Sequence, residues 1–271
     1  MTNKEFTKTA YAESLGVSRA SLYYQQKQPE KDWHTKQMIE GALREFPSYG
    51  HKLLADHLRI NKKRVRRVMK LYGIKPYRRR GKKWKKPKRN DVSFPNLLLE
   101  ITPQYPNHIW ASDFTYLPFK GRFVYVATLL DIYTRRIVGV NVLTTHSAQF
   151  VMNALGNAVL THHPPAILHS DHGSEYASKD YVEMCTSLGV IQSMSAKGCP
   201  WENGYQESFY NQFKVDLGDP GRFERLGELV SAIYQTIHTY NNTRIHTILG
   251  MPPATFAEGH QRSNALVELV S

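Results

Sequence analysis

The sequence lacks the features that mark membrane or secreted proteins. No apolar run approaches the roughly 20 residues needed to cross a bilayer, and residues 1–8 lack the apolar stretch of a secretory signal. Two cysteines, Cys185 and Cys199, are too few for a disulfide framework or a cysteine-based zinc site. We therefore expect a cytoplasmic protein with reduced thiols and no membrane partner.

Acidic residues are scarce in the first third of the chain. Residues 1–90 contain 25 Lys and Arg against 7 Asp and Glu, whereas residues 91–271 contain 11 against 16. A basic segment of this kind suits phosphate backbones, because each neutralised phosphate releases counterions. A solubilising surface is the alternative, but it does not predict that the charge gathers in one third. The mildly acidic remainder suits the binding of cations.

Residues 9–25 have the pattern of two short helices about a tight turn. Gly16 can adopt the left-handed conformation, Ser18 can cap the second helix, and the expected apolar interior consists of Ala12, Leu15, Val17 and Leu22. This pattern predicts a helix-turn-helix unit over 1–46. Its DNA-reading residues would be Arg19, Ser21 and Tyr23.

A second unit of the same kind is expected over 47–74. A helix opens at Tyr49-Gly50, and Asn61 can cap another that runs from Lys62 to Tyr72. The outer face of that helix carries five cations that we expect to bind DNA: Lys62, Lys63, Arg64, Arg66 and Arg67. A small helical bundle with a charged solvent face would give a similar pattern.

Residues 75–104 form the expected basic linker. Ten cations fall between residues 75 and 90, too many to bury in a core, and aromatic side chains lie among them. We expect this segment to follow a DNA groove, with contacts from Arg78, Arg79, Arg80, Lys82, Lys83 and Trp84. A flexible basic tract is the alternative.

Strands and helices alternate from residue 105. Three strands are expected at 109–119, 123–133 and 136–143, then a helix at 147–160, a strand at 166–170, a helix at 178–188 and a strand at 190–193. Two helices follow, at about 202–217 and 226–241. This order predicts an α/β domain over 105–258, with a mixed five-stranded sheet and flanking helices, followed by a tail over 259–271.

Three carboxylates occupy positions suited to catalysis. Asp113 lies within a strand where an unpaired charge is costly, Asp171 follows a buried strand, and Glu207 lies on a helix face with Asn203 and Lys214. If they converge, they provide the hard oxygen ligands that Mg²⁺ and its substitute Mn²⁺ prefer. Two such ions about 4 Å apart activate the attacking oxygen of a phosphodiester reaction and neutralise the leaving oxygen. We therefore expect Asp113, Asp171 and Glu207 to be both catalytic residues and metal ligands.

The motifs around these acids resemble a known family. The segments WASDFTY at 110–116, HSDHGSEY at 169–176 and NGYQESFY at 203–210 are similar to the integrase-core signature, as is the spacing of 35 residues between Asp171 and Glu207. The segments YNNTRIH at 240–246 and LGMPP at 249–253 resemble the ending of the second open-reading-frame proteins of the IS-three family of insertion sequences. The resemblance covers about residues 105–257 and extends to the helical region before them.

This resemblance implies an RNase H-like core and a DNA transposase that performs Mg²⁺-dependent end cleavage and strand transfer through an excised circular intermediate. It also implies double-stranded DNA as partner, a dimer or higher oligomer on DNA, association with the bacterial nucleoid and, in this family, a partner protein from an upstream reading frame. Glu175 departs from the family pattern, which has glutamine there. The departure puts any DNA contact at that position in question.

Several residues allow two readings. Lys214 can hold a phosphate or form an intrahelical ion pair, and Arg244 and His246 are weaker candidates for the same phosphate role. Aromatic side chains near Glu207 can stack on DNA or pack in the core: Trp201, Tyr205 and Tyr210. The twelve histidines lack a zinc pattern.

Two other functions compete with the transposase. One is a catalytically silent DNA-binding regulator or end-recognition subunit, against which the intact acids argue. The other is a nuclease without strand transfer, which would have little need of the two helix-turn-helix units.

Overall fold

The computed structural model describes residues 7–23, 28–77, 94–196 and 199–260. Most of the expected basic linker falls outside these ranges, as does the tail from residue 261. Six of the expected DNA contacts therefore lie outside the described residues: Arg78, Arg79, Arg80, Lys82, Lys83 and Trp84.

The N-terminal region is helical. It contains helix α1 (Lys8–Ser14), a 3-10 helix (Arg19–Tyr23), α2 (Gln28–Glu45), α3 (His51–Leu58) and α4 (Lys62–Leu71). Thr7 caps α1 and Asn61 caps α4 through side-chain acceptors. Helices α2, α3 and α4 share one apolar core, which includes Ile39, Phe46, Tyr49, Leu54, Val65 and Val68. The long helix α2 is the element that the sequence pattern missed.

The first expected helix-turn-helix unit needs correction. Gly16 does adopt a left-handed conformation, with a φ of 66°, but the second helix is a five-residue 3-10 segment. Of the expected apolar interior, Ala12 is buried while Leu15 and Val17 are 54% and 42% exposed. The reason is size: α1 has seven residues, and a helix that short presents too narrow an apolar face to enclose an interior.

The central sheet has five strands in the order β3-β2-β1-β4-β5. The strands are β1 (Ile109–Phe119), β2 (Arg122–Asp131), β3 (Ile137–Leu143), β4 (Ile167–Ser170) and β5 (Ile191–Met194). The first three form an antiparallel meander, and β4 and β5 run parallel to β1. The predicted mixed five-stranded sheet is confirmed, with strand ends shifted by at most two residues.

Helices cover both faces of this sheet. On one face lie α5 (Ala148–Val159) and α6 (Lys179–Ser187), packed against Trp110, Leu129 and Leu168. On the other face lie α7 (Gly204–Leu217) and α8 (Leu226–Asn242), packed against Ile109, Ala111 and Val126. A short 3-10 segment (Pro200–Asn203) leads into α7, and a helical run follows over 253–260.

The helices in the described ranges are unsuited to spanning a bilayer, since none combines sufficient length with sufficient apolar character.

Close packing of α5 on β3 yields a stability prediction. A Cβ atom at Gly139 would lie 2.6 Å from the Ala154 carbonyl oxygen and 2.8 Å from the Ala158 Cβ. Gly139→Ala should therefore lower the free energy of unfolding by about 1–3 kcal/mol, the typical cost of overpacking. Gly227→Ala is the matched control, because nothing lies within 4 Å of its added Cβ and alanine favours the helix. Urea denaturation of both variants checks this, and equal stability of the two would contradict it.

Candidate active site

The parallel pairing of β1 with β4 brings the two aspartates together. Ala111 pairs with His169, and Asp113 and Asp171 each lie two residues farther along the chain, with Asp171 directly after the last residue of β4. Because alternate residues of a strand share a face, both aspartates lie on the side of the sheet covered by α7. The sequence had predicted a strand position for Asp113 and a strand end for Asp171, and both positions are observed.

A tight turn shapes the surroundings of Asp171. The Gly173 amide donates a hydrogen bond of 3.1 Å to Asp171 Oδ1. A Cβ at Gly173 would meet Asp171 Oδ1 at 3.0 Å and Glu175 Oε2 at 3.1 Å. Glycine is therefore the residue that lets the two carboxylates approach each other across this turn.

Two buried side chains of α7 and the buried Asn203 just before it fix the helix that carries Glu207. Gln206 donates hydrogen bonds to the Ala111 and Thr128 carbonyl oxygens on β1 and β2. Tyr210 donates to the Asp113 carbonyl oxygen at 2.8 Å, and Asn203 donates to that of Ser112 at 3.3 Å. These contacts hold Glu207 above the strand that carries Asp113. The sequence did not decide whether Tyr210 stacks on DNA or packs in the core, and it assigned no role to Gln206.

The electrostatics of the site show that two of the acids act on the third. Burial and, after it, the charges of Asp171 and Glu207 raise the pKa of Asp113 to about 8, although the Phe114 amide and the Lys214 ammonium group act in the opposite direction. Burial also raises the pKa of Asp171 and of Glu207. The three expected ligands therefore share one region of the fold. Within the described ranges, however, no three His, Cys, Asp or Glu side chains stand close enough to form a ready-made metal cluster.

Glu175 adds a fourth acid to the rim of this region. Its carboxylate raises the pKa of Asp171 and lies 2.9 Å from Nδ1 of His146, in the loop between β3 and α5. The His146 ring stacks on that of Phe114, next in sequence to Asp113, with 5.9 Å between the ring centroids. Glu175, where the sequence departs from the family pattern, therefore lies next to the site. The sequence did not indicate a role for His146.

Lys214 lies on the same side as the acids. Its Nζ is 5.7 Å from the centre of the Tyr116 ring, and Tyr116 is 56% exposed at the surface of β1. Together with its effect on Asp113, this placement puts a cation at the edge of the acidic region. A phosphate contact by Lys214 remains a prediction that this position favours.

Arg244 occupies a structural position. It is 5% exposed and donates to Asp216 Oδ2 at 2.8 Å and to Ser48 Oγ at 2.9 Å. Tyr49 accepts a hydrogen bond of 2.8 Å from the Ile245 amide. The guanidinium thus joins the helical region to α7, and its charge is compensated inside the protein. This placement gives no support to a DNA contact by Arg244.

The expected DNA contacts of the helical region differ in exposure. Arg19 and Ser21 on the 3-10 segment are exposed, as are Lys62, Lys63 and Arg66 on α4; Tyr23 ends the 3-10 segment. Arg67 is paired with the buried Asp32, and Arg64 donates to the Lys31 carbonyl oxygen at 2.9 Å. The residues that face solvent are therefore Arg19, Ser21, Lys62, Lys63 and Arg66, whereas Arg64 and Arg67 are bound to α2.

Comparison with known proteins identifies the family. Two family models described as integrase core domain match residues 103–200 and 188–253. The transposase of element IS904 from Lactococcus lactis is 35% identical over 200 residues, which is 69% of this chain and 76% of the relative. A 31 kDa protein of element IS600 from Shigella sonnei, of uncharacterised function, is 31% identical over 268 residues, covering 93% and 98% of the two chains.

A solved structure supports the same fold. In the simian T-cell lymphotropic virus intasome complex with a PP2A regulatory subunit, a chain of 17% identity superposes with a TM-score of 0.52 over 81% of this chain and 74% of that one. The chain belongs to the integrase-core transposases of the IS-three family. It is a DNA transposase, a polynucleotidyl transferase with an RNase H-like core, and nothing in these comparisons favours a silent regulator.

The raised pKa of Asp113 predicts how stability depends on pH without metal. The folded chain holds this proton up to about pH 8, and the unfolded chain releases it near the ordinary value of about 4. The stability that this group contributes is complete below about pH 4 and is lost as the pH rises toward 8. Asp113→Asn should reduce that loss, seen as a smaller fall in melting temperature between roughly pH 5 and pH 8 in chelator. Asp180→Asn, at an exposed acid, should keep the wild-type slope; identical slopes for both variants would contradict the assignment.

The Arg244–Asp216 pair yields a second prediction. Asp216→Ala leaves a buried guanidinium without its carboxylate, which typically costs about 3–5 kcal/mol. Asp56→Ala removes an exposed acid of α3 and should change stability by less than about 0.5 kcal/mol. Denaturant titration of the two variants measures the difference. A loss below about 1 kcal/mol for Asp216→Ala would mean that solvent reaches Arg244.

Proposed function

We propose that Asp113, Asp171 and Glu207 hold two divalent cations, Mg²⁺ or Mn²⁺ in its place, and that this site performs end cleavage and strand transfer. The observation that carries the proposal is that the charges of Asp171 and Glu207 both act on the buried Asp113. Carboxylate oxygens are the donors that these hard cations prefer. A bound cation would offset the excess negative charge and lower the raised pKa values of the acids. Its binding would also draw the acids together.

Each group of the site has a defined task in this reaction. The cations, when bound, supply activation of the attacking oxygen and neutralisation of the leaving oxygen. Asp113 and Asp171 provide ligands from two adjacent strands, and Glu207 provides one from α7. Lys214 would bind a phosphate next to the scissile bond as a point charge. The rigid attachment of α7 to β1 keeps these groups in register during the reaction.

The DNA-binding surface that we infer extends over the helical region. An open cleft of about 450 Å³ between α2 and α4 is lined by four cations, Lys31, Lys63, Arg64 and Arg67. Asp32 beside them is already paired with Arg67, so the cleft keeps a positive excess. Phosphates of the element end would bind there and on the exposed cations of α4, with the 3-10 segment around Arg19 and Ser21 as a further contact.

The wider assembly follows from the same assignment. We infer a catalytic core over 105–258 that acts on double-stranded DNA ends and target, preceded by the helical units and the basic linker. Because two ends are joined in one reaction, we expect a dimer or higher oligomer on DNA, working in the bacterial cytoplasm with nucleoid DNA. The simian T-cell lymphotropic virus chain described above is part of an intasome, which agrees with such an assembly. An upstream-frame protein is a further expected partner.

The central test replaces one proposed metal ligand. Glu207→Gln keeps the shape of the side chain and removes its charge, so Mg²⁺-dependent cleavage and strand transfer on paired element ends should fall by about 10³-fold or more. Binding of the same DNA without metal should remain within about twofold. Glu183→Gln makes the same change at an exposed acid of α6, on the opposite face of the sheet, and is a matched control that should retain activity.

The products separate the competing functions. Joined products from wild type support the transposase reaction, and cleavage without joining would favour a nuclease. DNA binding alone, unaffected by Mg²⁺, would favour a regulator. Full activity of Glu207→Gln would remove Glu207 from the catalytic site.

A further inference from the structure

A second cleft lies along α7, separate from the face that carries Glu207 and Lys214. It encloses about 180 Å³ between α7, the end of α8 and the turn that joins β2 to β3. Its polar lining comes from the β2–β3 turn, from α7, and from the end of α8 with the segment after it: Arg135, Tyr205, Ser208, Gln212, Tyr240, Arg244, His246 and Thr247. No acidic residue is part of this lining. The ionisable side chains of the cleft are therefore two arginines, two tyrosines and a histidine.

The two arginines differ in how their charges are compensated. Arg244 is neutralised by Asp216 at 2.8 Å. Arg135 makes no ion pair with any acid in the described part of the chain, and its Nε is buried without a hydrogen-bond partner. A buried guanidinium N–H without an acceptor is costly, because its desolvation is not compensated. One positive charge and one unused donor thus remain at the cleft.

The backbone of Arg135 is itself unfavourable for this residue type. Its φ is 63°, in the left-handed region where glycine and asparagine are the favoured residues. The turn is held in this conformation on both sides: the Arg135 amide donates to the Asp131 carbonyl oxygen at 2.8 Å, and Tyr240 donates to the Arg135 carbonyl oxygen at 2.9 Å. Because hairpin turns require positive φ, this conformation alone assigns no role to the side chain, but it makes asparagine and glycine suitable replacements at this position.

The neighbouring groups favour an anion rather than a cation or an apolar group. The Arg135 guanidinium lies 4.4 Å from the centre of the Tyr205 ring, which holds it flat at the cleft. Burial and the charges of Arg135 and Arg244 lower the pKa of His246 to about 4, so its imidazole is neutral and adds no competing charge. His246 Nδ1 is also buried without a partner. Ser208 offers a hydroxyl on the same side of α7.

We propose that this cleft is a phosphate-binding site in which Arg135 is the principal ligand, and that its phosphate comes from the backbone of the DNA strand held near α7. The planar guanidinium matches a phosphate bidentately, and Tyr205 orients it. Ser208 in the cleft lining follows Glu207 directly on α7, so we expect a strand bound at the acids to extend toward the cleft. The proposal rests on the DNA-handling function above and adds a contact outside the three-acid site.

The test exploits the strained backbone. Arg135→Asn and Arg135→Gly remove the charge and place residues that tolerate a positive φ. Both variants should therefore melt at or above the wild-type temperature, while affinity for element-end DNA falls by about tenfold and the slope of log affinity against log salt decreases by about one. Arg222→Asn is the matched control, because Arg222 also stacks on a ring, that of Phe223, at 4.7 Å, but is exposed and does not line the cleft.

A second arm identifies the source of the phosphate. Inorganic phosphate is added to wild type and to Arg135→Asn at matched ionic strength, and the shift in melting temperature of each protein is measured. The result is the difference between the two shifts, because phosphate also stabilises both proteins non-specifically by exclusion from their surfaces. A difference together with intact DNA affinity would assign free phosphate and contradict the DNA source. Equal shifts and equal DNA affinity would overturn the site altogether. A drop in melting temperature for both Arg135 variants would show a structural role instead.

The two proposals fail in different ways. If wild type does not bind element-end DNA, the proposed DNA surface fails. If wild type and Glu207→Gln bind element-end DNA with equal affinity, the proposed DNA surface stands. If the Arg135 variants then bind this DNA with the same affinity as wild type, only the phosphate site is refuted.

Discussion

The structure depends on the hydrogen bonds that hold one polar helix face against the sheet. Asn203, Gln206 and Tyr210 bind backbone carbonyl oxygens on β1 and β2, and they do so while buried. Together with the apolar packing of Phe209 and Phe213, these bonds fix α7 so that Glu207 lies near Asp113. Their donors replace hydrogen bonds to water that are lost on burial, although the Asn203 Oδ1 atom is buried without a partner. The cost of ionising Asp113 near Asp171 and Glu207 is what a cation would relieve.

In the proposed function, the same helix would link recognition of DNA to catalysis. Glu207 and Lys214 lie on the side proposed to be catalytic, while Gln212 contacts Ser48 of the helical region and Asp216 pairs with Arg244, which also contacts Ser48. The helical region is thus joined to the core by a buried ion pair and by Tyr49, which stacks on Phe46 and binds the Ile245 amide. A DNA end bound by α2 to α4 would therefore be held in a defined position relative to the acids. This coupling places a structural requirement on residues that appear, by charge alone, to be DNA ligands.

Much of the core was predictable because its signals are local. Alternating and continuous apolar runs define all five strands, and turn residues such as Lys120 and Gly121 adopt positive φ as hairpins require. The convergence of Asp113 and Asp171 followed from their positions on strands. The partner of Arg244 could not be predicted, because the sequence does not show whether an arginine in a family motif binds a phosphate or an acidic side chain such as Asp216. Leu15 and Val17 were misassigned for a related reason: a short apolar pattern does not reveal whether anything covers it. Gln206 was missed because buried amides leave no periodic signal.

The central claim is that three acids, which are not assembled into a metal cluster in the described chain, jointly bind divalent cations. The most direct measurement is the anomalous diffraction of crystals soaked in Mn²⁺. The account predicts two peaks bounded by carboxylate oxygens of Asp113, Asp171 and Glu207, with the α7 hydrogen bonds to β1 preserved. Peaks held elsewhere, or at Asp171 and Glu175 with Glu207 turned away, would contradict it.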